Sequence, residues 1–375
     1  MAFAQIVGWG MHVPDKVVGN DAFVKMGLDT SDEWISSRTG IHERRFVENG
    51  QPVSDLAVEA AKQALQVADA HPRDLDLVIL ATCTPDQIMP STASFVQHRL
   101  GADRAGAFDL NAACAGFVYA LATGAAQIES GRAKNVMVVG ADELSNHLNW
   151  QDRTTCVLFG DGAGAVLLRA SEEPGIMAST TGSDGSGAGL LEIRGGGTKA
   201  SSNGNASANG KAVLTMNGPQ IFRWATKKLS EAATQVIEES DLTVDQVDLF
   251  LPHQANLRII DSAAKRLGLP REKVFSNVDT YGNTSAASIP IALCEAISQD
   301  RVHVGDNMIL TSFGSGLSWA ALALRWGTPI PSSVARWTPI RLQLETRMAG
   351  LRSAIKKRER AVRATIGERL NRDGG

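Results

Sequence analysis

The sequence predicts an α/β protein built as two similar halves, and three observations predict it. Short apolar runs alternate with longer helical patterns, as in a sheet covered by helices. The strand-then-helix order of the first half recurs in the second, which suggests an internal duplication, although the shared sequence is too weak to prove it. Aromatic residues make up only 5% of a chain rich in Ala and Gly, a composition suited to closely packed layers. Its 375 residues are enough for two core-forming units or one large domain.

The elements follow in order. Residues 77–81, 107–110 and 135–139 are apolar enough for buried strands. Between the last two, the Ala-rich stretch from Cys114 to about Glu129 contains no Pro and predicts a buried helix that begins near the cysteine. In the second half, residues 220–240 form a long helical pattern with Ile221, Trp224, Leu229 and Val236 on one face. A strand is expected at 247–251, helices at 256–267 and 285–298, and strands at 308–312 and 318–325.

These elements divide the chain into a first half at 1–175, a Gly/Ser-rich connection at 176–215, a second half at 216–328 and a basic extension at 329–375. Within the connection, residues 181–210 predict a solvent-exposed loop, with a ligand-covering flap as the other reading. No Gly-Lys-Ser/Thr follows the glycines at 195–197, so they form no phosphate loop. Neither 160–164 nor 185–189 matches G-x-G-x-x-G, which excludes a dinucleotide site.

Residues 331–375 hold eleven Lys and Arg against four Asp and Glu, so a net charge of −3 leaves −10 on the remainder. Apolar residues recur there at 344, 348, 351, 355, 362, 366 and 370, which predicts an amphipathic helix over 344–370. A solvated tail is the plain reading. Packing on the rest of the chain or on a second copy of it, and contact with an anionic membrane surface, are the other two. No nucleic-acid partner is expected. The four cysteines are scattered, with no metal or disulfide spacing, and no signal peptide or apolar span of about 18 residues occurs. A cytoplasmic protein is expected.

Four segments carry chemistry. In Asn111-Ala-Ala-Cys114-Ala-Gly-Phe117 the thiol stands where a strand passes into a helix, and the unpaired amides there favour a thiolate. Cys83, Cys156 and Cys294 lack such a setting and read as core residues. His253, in Leu251-Pro-His253-Gln-Ala-Asn256, follows a buried strand, where a side chain can enter a cleft. Asn283 lies in Tyr281-Gly-Asn283-Thr-Ser-Ala-Ala-Ser288, a loop opening into a helix, and alone would read as a cap or turn residue. Ser312-Phe-Gly314-Ser-Gly316-Leu is a glycine turn that reads as a tight connection or as amides presented to an oxyanion.

Together with Gly8-Trp-Gly-Met-His-Val-Pro14, Asp29-Thr-Ser-Asp-Glu-Trp-Ile-Ser-Ser-Arg-Thr-Gly-Ile41 and Phe159-Gly-Asp-Gly-Ala-Gly-Ala165, these segments resemble the β-ketoacyl-[acyl-carrier-protein] synthase III family of the thiolase superfamily. The resemblance covers about residues 4–327. It implies the thiolase fold, two duplicated βαβαβαββ halves in a five-layered αβαβα arrangement, and a homodimer. It implies an acyltransferase that condenses an acyl-CoA with malonyl-acyl carrier protein, the coenzyme A thioester being substrate and no cofactor or metal being needed. Cys114 would carry the acyl group, His253 and Asn283 would stabilise the enolate, and the amides of Cys114 and Gly316 would form the oxyanion hole. Trp34, Arg38, Arg153 and Asn256 would bind coenzyme A. Arg223, Arg258, Lys265 and Arg266 would meet the carrier protein. Met89 replaces the usual aromatic at the acyl-pocket wall across the dimer, which predicts a pocket for chains longer than acetyl. A related condensing or acyl-transferring enzyme of polyketide or other secondary metabolism would use the same Cys-His-Asn set. A degradative thiolase would need a second cysteine where Ser315 stands, a hydroxymethylglutaryl-CoA-type synthase would need an added acidic base, and a non-catalytic acyl-CoA-binding protein would have no use for the set.

Overall fold

The computed structural model describes residues 2–330 apart from 49, 196 and 199–211. The basic extension from 331 and its expected helix lie outside the described residues. The first half runs β1 (Phe3–His12), β2 (Val17–Gly19), α1 (Asp21–Lys25), α2 (Asp32–Thr39), β3 (Glu43–Arg45), α3 (Val53–Val67), β4 (Leu77–Ala81), α4 (Thr92–Leu100), β5 (Gly106–Leu110), α5 (Gly116–Glu129), β6 (Asn135–Asp142) and β7 (Gly162–Ser171). The chain continues through β8 (Ile176–Ser183), β9 (Leu191–Arg194), β10 (Val213–Met216), α6 (Gly218–Glu239), β11 (Leu249–Pro252), α7 (Leu257–Leu267), α8 (Val278–Tyr281), α9 (Ser288–Ser298), β12 (Asn307–Gly314) and β13 (Ser318–Arg325).

One sheet has the order β1-β7-β6-β4-β5 and the other β11-β12-β13-β8. Both are parallel toward one edge and antiparallel toward the other. A lone parallel bridge between Phe250 and Val274 takes the second sheet's missing fifth place. The order β5-β4-β6-β7-β1 is thus matched by Val274-β11-β12-β13-β8, with α3, α4 and α5 answered by α6, α7 and α9. The duplication expected from element order is present.

Hydropathy sorts the helices into layers. α5 and α9 are apolar nearly all round and touch both sheets, so they form the middle layer. α3 and α4 cover the outer face of the first sheet, and α6 covers that of the second with α7 packed beside it. Each middle helix begins in the same way. Asn111 Oδ1 accepts from the Ala113 amide at 3.1 Å, and Asn283 Oδ1 from the Ser285 amide at 2.9 Å. Ala113 and Ser285 then take left-handed φ values of 48° and 52°, and a 3-10 turn leads into the helix.

The described part of residues 181–210 departs from the expected loop. β8 runs on to Ser183 as a strand of the second sheet, and β9 pairs antiparallel with β10. Leu-Glu-Ile-Arg and Val-Leu-Thr-Met are too short to give a periodic signal within a Gly/Ser-rich stretch.

Candidate active site

The end of β5, the end of β11 and the two repeated turns converge in the middle layer. Cys114, in the first of these turns, is 7% exposed. Its carbonyl accepts from Ser312 Oγ at 2.6 Å, and its Sγ lies 3.3 Å from Ser285 Oγ in the second turn. β12 comes so close that a Cβ on Gly314 would stand 2.7 Å from the Cys114 amide nitrogen, which only glycine allows. Burial pushes the thiol up to about 12; the Ser285 hydrogen bond opposes this and the Asp142 charge adds to it. The lowered thiol pKa expected from the helix start is not found, because desolvation outweighs it.

His253 is fully buried. Its backbone N–H donates to Thr311 O at 2.8 Å, its Nδ1 meets Ser288 Oγ at 2.6 Å, and its ring meets Phe313 edge-on with centroids 5.3 Å apart. Nε2 has no partner. Burial lowers the imidazole pKa to about 3, so the ring is neutral. Asn283 Oδ1 is engaged by Ser285, which turns Nδ2 the other way. His253, Asn283, Gly314 and Cys114 all line one cavity of about 420 Å³.

That cavity is a corridor whose outer part is lined by Trp34, Arg38, Arg153 and Asn256. The Arg38 and Arg153 guanidinium carbons lie 4.8 and 4.9 Å from the Trp34 ring centroid, and Arg153 also pairs with Asp29 at 2.9 Å. Asn256 caps α7 through the Arg258 amide at 2.9 Å and donates to Arg38 O at 3.1 Å. Arg223, Arg258, Lys265 and Arg266 are exposed on α6 and α7. The Arg258 guanidinium carbon stands 5.6 Å from the Phe222 ring centroid at the corridor wall.

A second cavity, of about 460 Å³, opens on the other side of Cys114. Ile88, Leu144, Phe159, Leu191, Ile193 and Leu214 give it a largely apolar lining, so the β9–β10 hairpin covers it as a flap. Met89 is 82% exposed and does not line its own chain's cavity, whereas Ile88, 85% exposed, does. Cys156 and Cys294 are buried as expected, but Cys83 is only half-buried and lines this cavity, 3.8 Å from Ser285 Oγ. In the closing turn, Gly314 lines the corridor and Ser315 the acyl-sized cavity; Gly316 lines neither and packs toward Ser318.

Sequence reasoning missed Asp142, Ser285 and Ser288. Asp142, at the end of β6, accepts from the Thr82 hydroxyl, the Cys83 and Thr84 amides, the Thr84 hydroxyl and the Ala286 amide. It ties the end of β4 to the Asn283 turn. An Asp closing an apolar run was a visible signal, but its partners lie 58 to 144 residues away.

Comparison with known proteins agrees with this architecture. The family model described as 3-oxoacyl-[acyl-carrier-protein (ACP)] synthase III matches residues 108–185, and its C-terminal counterpart matches residues 237–326. The chain is 48% identical over 325 residues to a β-ketoacyl-[acyl-carrier-protein] synthase III of Roseiflexus castenholzii, an alignment covering 86% of this chain and 98% of that one. The crystal structure of 3-oxoacyl-[acyl-carrier-protein] synthase III from Aquifex aeolicus is 45% identical, with a TM-score of 0.80 over 86% of this chain and 100% of the other. A priming β-ketosynthase from a polyketide biosynthetic pathway is 37% identical, with a TM-score of 0.82 over 88% of this chain and 97% of the other. With close to half its residues shared along nearly the full length of its relatives, the chain belongs to the β-ketoacyl-[acyl-carrier-protein] synthase III family and has the thiolase fold.

Proposed function

We propose that the enzyme condenses an acyl group from acyl-CoA with malonyl-acyl carrier protein, releasing CO2 and giving a 3-oxoacyl-acyl carrier protein, the step that opens fatty acid synthesis. One observation carries the assignment of roles. Cys114 stands where an apolar cavity meets a corridor, and His253 and Asn283 line the corridor beside it. The synthase III relatives at 48% and 45% identity stand nearer to this chain than the polyketide ketosynthase at 37%, which favours this reading over secondary metabolism.

Cys114 sulfur attacks the thioester carbonyl of acyl-CoA, the carbon–sulfur bond to CoA breaks, and the cysteine proton ends on the CoA thiol. The Cys114 amide, with the closing turn that carries Gly314 and Gly316, stabilises the oxyanion. The acyl chain then occupies the apolar cavity. In malonyl thioester the bond to the carboxylate breaks, and its electron pair passes to the thioester oxygen. His253 and Asn283 hold that enolate with neutral N–H donors, and burial keeps His253 from surrendering a proton to it. The carbanion attacks the acyl-Cys114 carbonyl, the carbon–sulfur bond breaks, and the released thiolate takes a proton from solvent. Loss of CO2 supplies the carbanion and Cys114 carries the acyl group, so the steps as written call on no metal or nicotinamide.

Trp34 stacks on the adenine, Arg38 and Arg153 flank it, and Asn256 meets the pantetheine arm. Arg223, Arg258, Lys265 and Arg266 dock the acidic carrier protein around the corridor mouth. Among the described residues the outer edge of β5 is unpaired, and Phe108 on β5, Ile88 and Met89 are exposed. A homodimer through this edge would bring Met89 to the partner's acyl cavity. At about 460 Å³ that cavity far exceeds an acetyl group, which supports primers longer than two carbons. The four free cysteines fit a reducing compartment, and we place the enzyme in the cytoplasm.

The test supplies acetyl-, butyryl-, octanoyl- and lauroyl-CoA in turn with malonyl-acyl carrier protein, and follows Cys114 by mass spectrometry and the product by release of CO2. An acyl adduct on Cys114 and a 3-oxoacyl product are expected, fastest with a chain longer than acetyl. An unmodified Cys114 would overturn the reading, and strict acetyl preference would overturn the chain-length part alone.

A further inference from the structure

We infer that Ser288 is a positioning residue whose hydroxyl holds His253 in the tautomer with its proton on Nε2, so that the ring offers a donor to the corridor. What that donor does rests on the proposed condensation; the tautomer itself does not.

The hydrogen-bond roles around the ring fix its tautomer. Ser288 is the first residue of α9 and is buried, with its Oγ 2.6 Å from His253 Nδ1. The Gln254 amide also donates to this oxygen, at 3.4 Å. A hydroxyl has one proton to give. Given to Nδ1, it makes that nitrogen an acceptor, and the oxygen keeps its lone pairs for Gln254. The reverse assignment brings two N–H donors to one oxygen and leaves the hydroxyl proton without an acceptor among the described residues. Buried polar groups avoid such a shortfall, and the bond made by one ring nitrogen sets the state of the other.

The opposite end of the ring agrees. Nε2 is inaccessible to solvent in a ring that lines the corridor, and it has no partner among the described residues. Its donor is left for an acceptor that arrives there, such as a thioester oxygen. Phe313 packs edge-on against the ring, and the His253 amide is anchored to β12, so the ring cannot easily turn to exchange its nitrogens. Three residues before Ser288, the Ser285 amide can only donate, so the atom it meets on Asn283 must be Oδ1 and the NH2 group faces elsewhere. One short stretch, residues 283–288, therefore sets the polarity of both groups.

The experiment reads the tautomer first. In wild-type enzyme labelled with nitrogen-15, the two-bond proton–nitrogen spectrum of His253, assigned by its loss in His253→Gln, should show a protonated Nε2 and a bare Nδ1. A protonated Nδ1 would overturn the inference without reference to activity or to any variant. Ser288→Ala should lower malonyl decarboxylation more than Cys114 acylation, shifting the ratio of the two rates by about ten- to a hundredfold. Ser288→Thr should restore most of the ratio. An equal fall in both rates, at unchanged thermal stability, would reduce Ser288 to a structural residue and overturn the proposal. If Ser288→Ala does not fold, the wild-type spectrum decides. Wild-type enzyme that neither acylates nor decarboxylates would instead remove the condensation reading and leave the tautomer to the spectrum.

Discussion

At Cys114 two effects that a sequence cannot weigh are set against each other. The start of α5 favours an anion there, burial disfavours it, and the thiol stands at about 12. Its thiolate fraction should therefore climb about tenfold per pH unit, and alkylation by iodoacetamide should rise from about pH 7 to about pH 10 without levelling off. A plateau near neutrality would contradict this. His253 shifts the other way, to about 3 from an ordinary 6.5. On acidification the unfolded chain takes up this proton before the folded one does. The stability tied to a neutral His253 is thus present above about pH 6.5 and is lost as pH falls toward about 3. Melting temperatures at neutral and acid pH should differ more in the wild type than in His253→Gln. For the reaction, His253→Ala and Asn283→Ala should each keep the acyl-enzyme step and lose about 10²–10³ in decarboxylation, measured as CO2 release.

Among elements, contacts made across long sequence distances decide the geometry. β6 passes so near the Asn283 turn that a Cβ on Gly140 would collide with the Ala286 carbonyl oxygen. Gly140→Ala should displace residues 285–287 and cut decarboxylation more than it lowers the melting temperature. Arg44 on β3 is buried, has no carboxylate partner among the described residues, and donates to Val18 O, Asn20 Oδ1 and Val157 O at 3.0, 2.8 and 2.6 Å. Arg44→Met strands those acceptors and should cost about 2–4 kcal/mol in denaturant unfolding. The same distinction explains what could be read beforehand. The buried strands and the apolar middle helices announce themselves by unbroken hydropathy, Cys114 by its place at a strand-to-helix junction, and His253 and Asn283 only through the family that the four segments together resemble. The β9–β10 flap did not, because its strands are four residues each. Ser288 stood in view within the Asn283 segment, yet its partner His253 is 35 residues away and only the fold brings them together. The repeated turn was equally visible, as Asn111 and Asn283, but its likeness lies in φ values and not in shared letters.

For the whole molecule, the two halves are not separable units, since α5 and α9 each pack on both sheets. A fragment ending at residue 175 should expose the inner face of α5 and fail to unfold cooperatively, as calorimetry would show. On the outer surface, Lys265→Glu with Arg266→Glu should raise KM for malonyl-acyl carrier protein about three- to tenfold, and the difference should shrink as salt is added.

The two cavities at Cys114 also impose an order in time. In the proposed reaction the corridor takes one thioester arm at a time, and both substrates use it. Only after the acyl chain has swung into the apolar cavity and free CoA has withdrawn can the malonyl arm enter. Double-reciprocal plots against the two substrates should therefore be parallel, and free CoA should compete with malonyl-acyl carrier protein for the acylated enzyme. The spatial arrangement around one sulfur is thus also a schedule, in which the first guest must leave by the door that the second is waiting to use.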